Sequence, residues 1–128
     1  MNVCQKELFK VVSTIIPQTA AADVNGAAVD VSGYGSAFAI CHMDDAAAGA
    51  FILQDSANGT DFATVADTFV VTADKTNTTA AVASSVVTIG YLGVKQYLRV
   101  VWDQTTGGEI SACIVLGNAF VSPTGANS

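Results

Sequence analysis

The chain has 128 residues, long enough for one domain with a core of its own, and 51% of them are hydrophobic, which argues against disorder. Eleven acidic against five basic residues leave a net charge of −6, too few cations to hold a phosphate backbone, so direct nucleic-acid binding is not expected. No run approaches the ~20 apolar residues of a membrane-spanning helix, and no membrane partner is expected.

The N-terminus carries Lys6, Glu7 and Lys10 where an export signal would need an apolar core. It therefore reads as unexported, and the protein as made in the cytoplasm. Residues 1–16 read as an N-terminal arm or edge strand: Val11 to Ile16 is β-prone and Pro17 closes it. Residues 17–121 form the body and 122–128 a tail. Asn25-Gly26 and Ser32-Gly33-Tyr34-Gly35 are turn signals on either side of a short strand, Ala27 to Val31. From Ser36 to Met43 the chain alternates, with Phe38, Ile40 and His42 on one face and Ala37, Ala39, Cys41 and Met43 on the other. Ala50 to Gln54 and Phe62 to Val65 make a hairpin around Asn58-Gly59. Thr68 to Thr72 is a further strand. The Lys, Thr, Asn, Ala and Ser stretch from Asp74 to Ser85 is a loop or a weak edge strand around Ala80 to Val82.

Val87 to Trp102 is the clearest stretch. It reads as two strands of one hairpin, with Gly90 and Gly93 setting the turn and Leu98, Val100 and Trp102 the core face. Because its other face is also largely apolar, the second strand reads as central and covered on both sides. Glu109 to Phe120 is the last strand, with Ile110, Ala112, Ile114 and Leu116 on one face. About eight short strands and no long helix predict an all-β fold: a single small β-sandwich or barrel, jelly-roll-like, with an N-terminal extended arm.

The chemistry-bearing residues are few. Cys41 and His42 are neighbours on a strand and face opposite ways, which disfavours a shared metal. Cys4, Cys41 and Cys113 have no paired spacing and read as free thiols. The Asp55 to Asp61 loop lacks the alternating acids and closing Glu of a calcium loop. With one histidine and no nucleophile beside it, no catalytic residue, metal or cofactor is assigned and the protein is not expected to be an enzyme. Trp102 alternates with core residues, against a sugar-stacking role. Lys95 and Arg99 stand out in a chain so poor in cations: either they pair with nearby side chains or they reach a neighbouring subunit.

Four pieces, in order, carry a resemblance. Asn25 to Tyr34 (NGAAVDVSGY), Leu53 to Phe62 (LQDSANGTDF), Ile89 to Val100 (IGYLGVKQYLRV) and Val115-Leu116-Gly117 resemble segments of the head decoration, or cement, proteins of tailed bacteriophages. Gln96 stands where that pattern has Arg, and Asn58 where it has Asp. The resemblance implies a β-sandwich on the outer surface of the virion head, bound to the major capsid protein and cementing neighbouring capsid subunits. It also implies self-association, as a trimer or alternatively a dimer. Phe9, Ile15, Ile16, Lys95 and Arg99 are the expected subunit or capsid contacts. Alternatives are a phage tail or neck protein and a carbohydrate-binding β-sandwich module.

Overall fold

The computed structural model describes residues 9–44, 46–72, 77, 79–80 and 86–119. Cys4, Asp45, residues 81–85 and the 122–128 tail lie outside them. In chain order the strands are β1 (Lys10–Ala20), β2 (Val24–Asn25), β3 (Val29–Asp30), β4 (Tyr34–Met43), β5 (Ala48–Ser56) and β6 (Ala63–Thr64). One 3-10 turn, Asp67–Phe69, then leads to β7 (Val70–Val71), β8 (Thr79–Ala80), β9 (Val86–Tyr91), β10 (Tyr97–Thr106) and β11 (Gly108–Ala119).

Every pairing is antiparallel. A five-stranded sheet runs β1-β11-β4-β9-β7. A six-stranded sheet runs β2-β10-β5-β6, with β3 also on β10 and β8 also on β5. Taking β2 and β3 as one interrupted strand, and β7 and β8 as marginal additions, the remaining strands fall in jelly-roll order: β1-β11-β4-β9 over β2/β3-β10-β5-β6.

Period-two alternation builds the core between the sheets. Ala37, Ala39, Cys41 and Met43 of β4 and Ile110, Ala112, Ile114 and Leu116 of β11 point inward from one sheet. Phe51 and Leu53 of β5 and Leu98, Val100 and Trp102 of β10 meet them from the other. Phe51 and Trp102 are wholly buried with ring centroids 4.7 Å apart and planes tilted by 48°, a contact contributing about 1 kcal/mol beyond its area. The small inward residues are concentrated on β4, in Ala37, Ala39 and Cys41.

The two sheets are latched where β1 passes β10. Thr14, buried, donates its hydroxyl to the Ala27 carbonyl (2.8 Å) and accepts the Val100 amide (3.2 Å). Gly26 donates its N–H to the Val100 carbonyl at 2.8 Å. A methyl group at Gly26 would strike the carbonyls of both Thr14 and Val100, so this crossing admits only glycine.

Several expectations change. The Val87 to Trp102 stretch is not a hairpin: β9 pairs with β4 and β7, and β10 pairs with β5, β2 and β3 in the other sheet. Residues 92–96 are therefore a crossover between sheets. Strand β10 is central, as expected, but buried on one face only; Tyr97, Arg99 and Val101 are half-exposed on the other. Pro17 does not end β1, which continues to Ala20. It sits in a register break between Ile15 and Gln18, where an edge strand makes no ladder bond and the missing N–H costs nothing. The strand expected over residues 27–31 is reduced to β3, with β2 added before it, and that over 68–72 is reduced to β7 behind the 3-10 turn.

Candidate interaction surfaces

Of the four segments that resemble cement proteins, the Leu53 to Phe62 turn and the Tyr97 to Val100 end of the third meet on the outer face of the six-stranded sheet, while Ile89 to Tyr91 and Val115 to Gly117 belong to the five-stranded one. Gln54 and Arg99 stand opposite each other on β5 and β10, and Arg99 Nε donates to Gln54 Oε1 at 2.9 Å. The guanidinium lies over the Phe62 ring, 4.4 Å from its centroid. The β5–β6 turn folds back so that Gly59, at φ 79°, lies under the Tyr97 ring. Asn58 organises that turn: its Oδ1 accepts from Ser56 Oγ and from the amides of Thr60 and Asp61, and its Nδ2 donates to Asp61. Gln54, Ser56, Asn58, Gly59, Phe62, Tyr97 and Arg99 thus form one structural unit. Arg99 is paired inside its own domain, by a glutamine and a ring.

The crossover is held by a second unit. Tyr91 Oη donates to Asp55 Oδ2 at 2.8 Å and accepts the Lys95 amide at 3.0 Å, while Gly93 packs under the Tyr91 ring. Burial, seconded by the Asp55 carboxylate and opposed by the Lys95 amide, pushes the Tyr91 hydroxyl up to about 12. Lys95 Nζ lies 3.6 Å from Asp55 Oδ1, and with Lys95 half-exposed this ion pair contributes little. Asp55 is turned inward to these partners and does not share an open site with Asp61. In the Asn25 to Tyr34 segment, Asp30 accepts the Ser32 amide at 2.9 Å, which lowers its carboxyl below the ordinary value, and Gly33 takes φ 86°.

The outer face of the five-stranded sheet differs in kind. Register places Val11, Val115, Phe38, Gly90 and Val71 side by side in one row across all five strands. The next row is Ser13, Cys113, Ile40 and Thr88. Phe9 extends the patch, its ring lying over Gly117. Val11 is 63% exposed and Phe38 38%. Val86, Phe69 and Leu92 are exposed at the margin, and Val94, in the crossover, is 98% exposed.

Of the expected contact residues, Phe9 and Ile16 are exposed and Lys95 is half-exposed at the crossover. Ile15 is not available to a partner: it points inward from β1 and belongs to the core. Cys41 is buried, its thiol pushed up to about 12 by burial, while His42 is exposed on the opposite face. Among the described residues no group of histidine, cysteine and acidic side chains is placed to hold a metal. Trp102 is wholly buried and presents nothing to a sugar.

Sequence reasoning missed Asn77. It is buried, and its side-chain amide bonds β5 where β8 has stopped and β6 has not begun. Oδ1 accepts the Leu53 amide at 2.9 Å, and Nδ2 donates to the carbonyls of Leu53 (2.7 Å) and Val65 (2.8 Å). Its own amide donates to Asp67 Oδ1 at 2.9 Å. Nothing in a polar low-complexity stretch marks its asparagine as buried. No family model matches the chain, and no curated protein does.

Proposed function

We propose that this is a non-enzymatic structural protein of a tailed-phage virion, which binds the outside of the assembled head and cements neighbouring major capsid subunits. The observation that carries the reading is the distribution of exposed apolar side chains. Phe9, Val11, Phe38, Val71 and Val86 stand on one sheet face, and Phe69, Leu92 and Val94 near the crossover end. Monomeric proteins rarely leave apolar patches of this extent uncovered, so the chain works by burying them against other proteins. The ordered resemblance of four segments to cement proteins supplies the kind of partner. The jelly-roll fold hosts many functions and by itself selects none.

The mechanism is linkage. A protein that binds the assembled lattice, and not free subunits, stabilises that lattice by its binding free energy, and many copies bridging subunits multiply the effect. The crossover end, with Val94 and Lys95, is the surface assigned to the capsid. Heads prepared without the protein should release DNA at lower temperature or after osmotic shock. Adding wild-type protein back should restore resistance, and Val94→Asp should not. Equal resistance with and without the protein would remove the cementing role.

A further inference from the structure

We infer that Asn58 is a site of spontaneous deamidation, and that the Ser56 hydroxyl sets its rate by holding the turn closed. The modification needs no enzyme and does not depend on what the sandwich binds.

The sequence holds two Asn-Gly pairs, Asn25-Gly26 and Asn58-Gly59. With no side chain on the following residue, the backbone nitrogen of glycine is the least shielded nucleophile that an asparagine can have beside it. Hydroxide removes the Gly59 amide proton, and the nitrogen attacks Asn58 Cγ to close a five-membered imide. The Cγ–Nδ2 bond breaks, and the side-chain nitrogen leaves as ammonia, taking its proton from water. Water then opens the imide. Opening at Cγ gives aspartate; opening at the Asn58 main-chain carbonyl gives isoaspartate, with the main chain running through Cγ. In sum, one water enters and one ammonia leaves.

Both asparagines are exposed, but their glycines differ. Gly26 is buried at the sheet crossing, walled by Thr14 and Val100, and donates its N–H to the Val100 carbonyl at 2.8 Å. Freeing that nitrogen means parting the sheets. Gly59 is half-buried in an exposed turn, and its N–H goes to a side chain: it donates to Ser56 Oγ at 3.0 Å. The same oxygen accepts the Asn58 amide at 3.2 Å and donates to Asn58 Oδ1 at 2.8 Å. The Thr60 and Asp61 amides also donate to Oδ1, each at 2.9 Å, and Nδ2 donates to Asp61 Oδ2 at 2.9 Å. Held at both ends, the side-chain amide is not free to turn onto the Gly59 nitrogen while the turn is closed. Deamidation therefore follows local opening of the turn, which needs no parting of the sheets. The product cannot close as before. Aspartate sets a second carboxylate where Nδ2 met Asp61, and isoaspartate adds a carbon to the main chain of the turn that places Gly59 against the Tyr97 ring.

Incubation of the full chain in mildly alkaline buffer, followed over time by peptide mass spectrometry, tests the inference. Wild type should show the mass gain of amide-to-acid conversion at Asn58 before Asn25. Ser56→Ala should speed conversion at Asn58 by about fivefold or more, the weight of one hydrogen bond lost from the closed turn, and leave Asn25 at its wild-type rate. Asn25 is the internal control: a substitution that merely loosens the whole fold would open the sheet crossing and speed both sites. Asp61→Ala, which frees Nδ2, should speed Asn58 in the same selective way and replaces Ser56→Ala if that variant does not fold. Conversion at Asn25 ahead of Asn58, an Asn58 that does not convert, or a substitution that leaves the Asn58 rate unchanged or speeds both sites alike would overturn the inference.

Discussion

Asn77 shows how much one side chain can carry. It supplies three hydrogen bonds to backbone groups of β5 and of the residue after β6 where no strand reaches them. Asn77→Ala should leave the Leu53 amide and the Val65 carbonyl without that partner, the Leu53 carbonyl keeping the Val65 amide at 3.1 Å, and cost about 2–4 kcal/mol of unfolding free energy in a urea titration. Asn77→Asp should be no better, since a carboxylate cannot donate to the two carbonyls. The residue also stands in a glycosylation sequon, Asn77-Thr78-Thr79, but it is buried among backbone partners and closed to modification in the folded chain. A second residue-scale effect is alkaline sensitivity. Cys41 is raised from 9.0 to about 12 and Tyr91 from 10.0 to about 12, so the folded chain keeps protons that the unfolded chain loses. Their contribution is intact below pH 9 and drains away as pH rises toward 12. Unfolding free energy measured across that window should fall. Tyr91→Phe, though less stable at neutral pH, should fall less steeply above pH 10.

At the scale of elements, the long strands were legible and their connections were not. Alternation along β4, β10 and β11 marks the inward residues because period two leaves one face apolar. The β5–β6 hairpin was legible from Asn58-Gly59. Gly90 and Gly93 gave the same signal and meant something else. A glycine-bounded turn serves a hairpin and a crossover equally, and the choice lies in Tyr91 reaching Asp55 of the opposite sheet, 36 residues earlier. Asn25-Gly26 is likewise no free turn but the latch against Thr14 and Val100. Gly26→Ala should therefore cost about 2 kcal/mol or more, with the sheets rather than a loop forced apart. Arg99→Lys keeps the charge but loses the planar contact with Phe62 and the Nε hydrogen bond to Gln54. A cost of about 0.5–1.5 kcal/mol in thermal unfolding is expected, at the low end because the site is half-exposed.

At the scale of the whole molecule, the two outer faces divide the surface. One is covered by its own hairpin turn, with Arg99 on Phe62 and Tyr97 on Gly59. The other is left apolar, with Val11, Phe38 and Val71 exposed. Of the expected contacts, Phe9 and Ile16 are exposed, Ile15 is buried in the core beside a break in the strand register, and Arg99 is held by Gln54 and Phe62 of its own domain. The apolar row could not be seen beforehand because its members come from five strands far apart in sequence, and only the register brings them together. If, as proposed, the molecule acts by covering a capsid surface, electron cryomicroscopy of the virion whose genome carries this sequence should show density for the sandwich on the outside of the head, with the Val94 end against the lattice. Density confined to the tail or neck, or none on the particle, would contradict it.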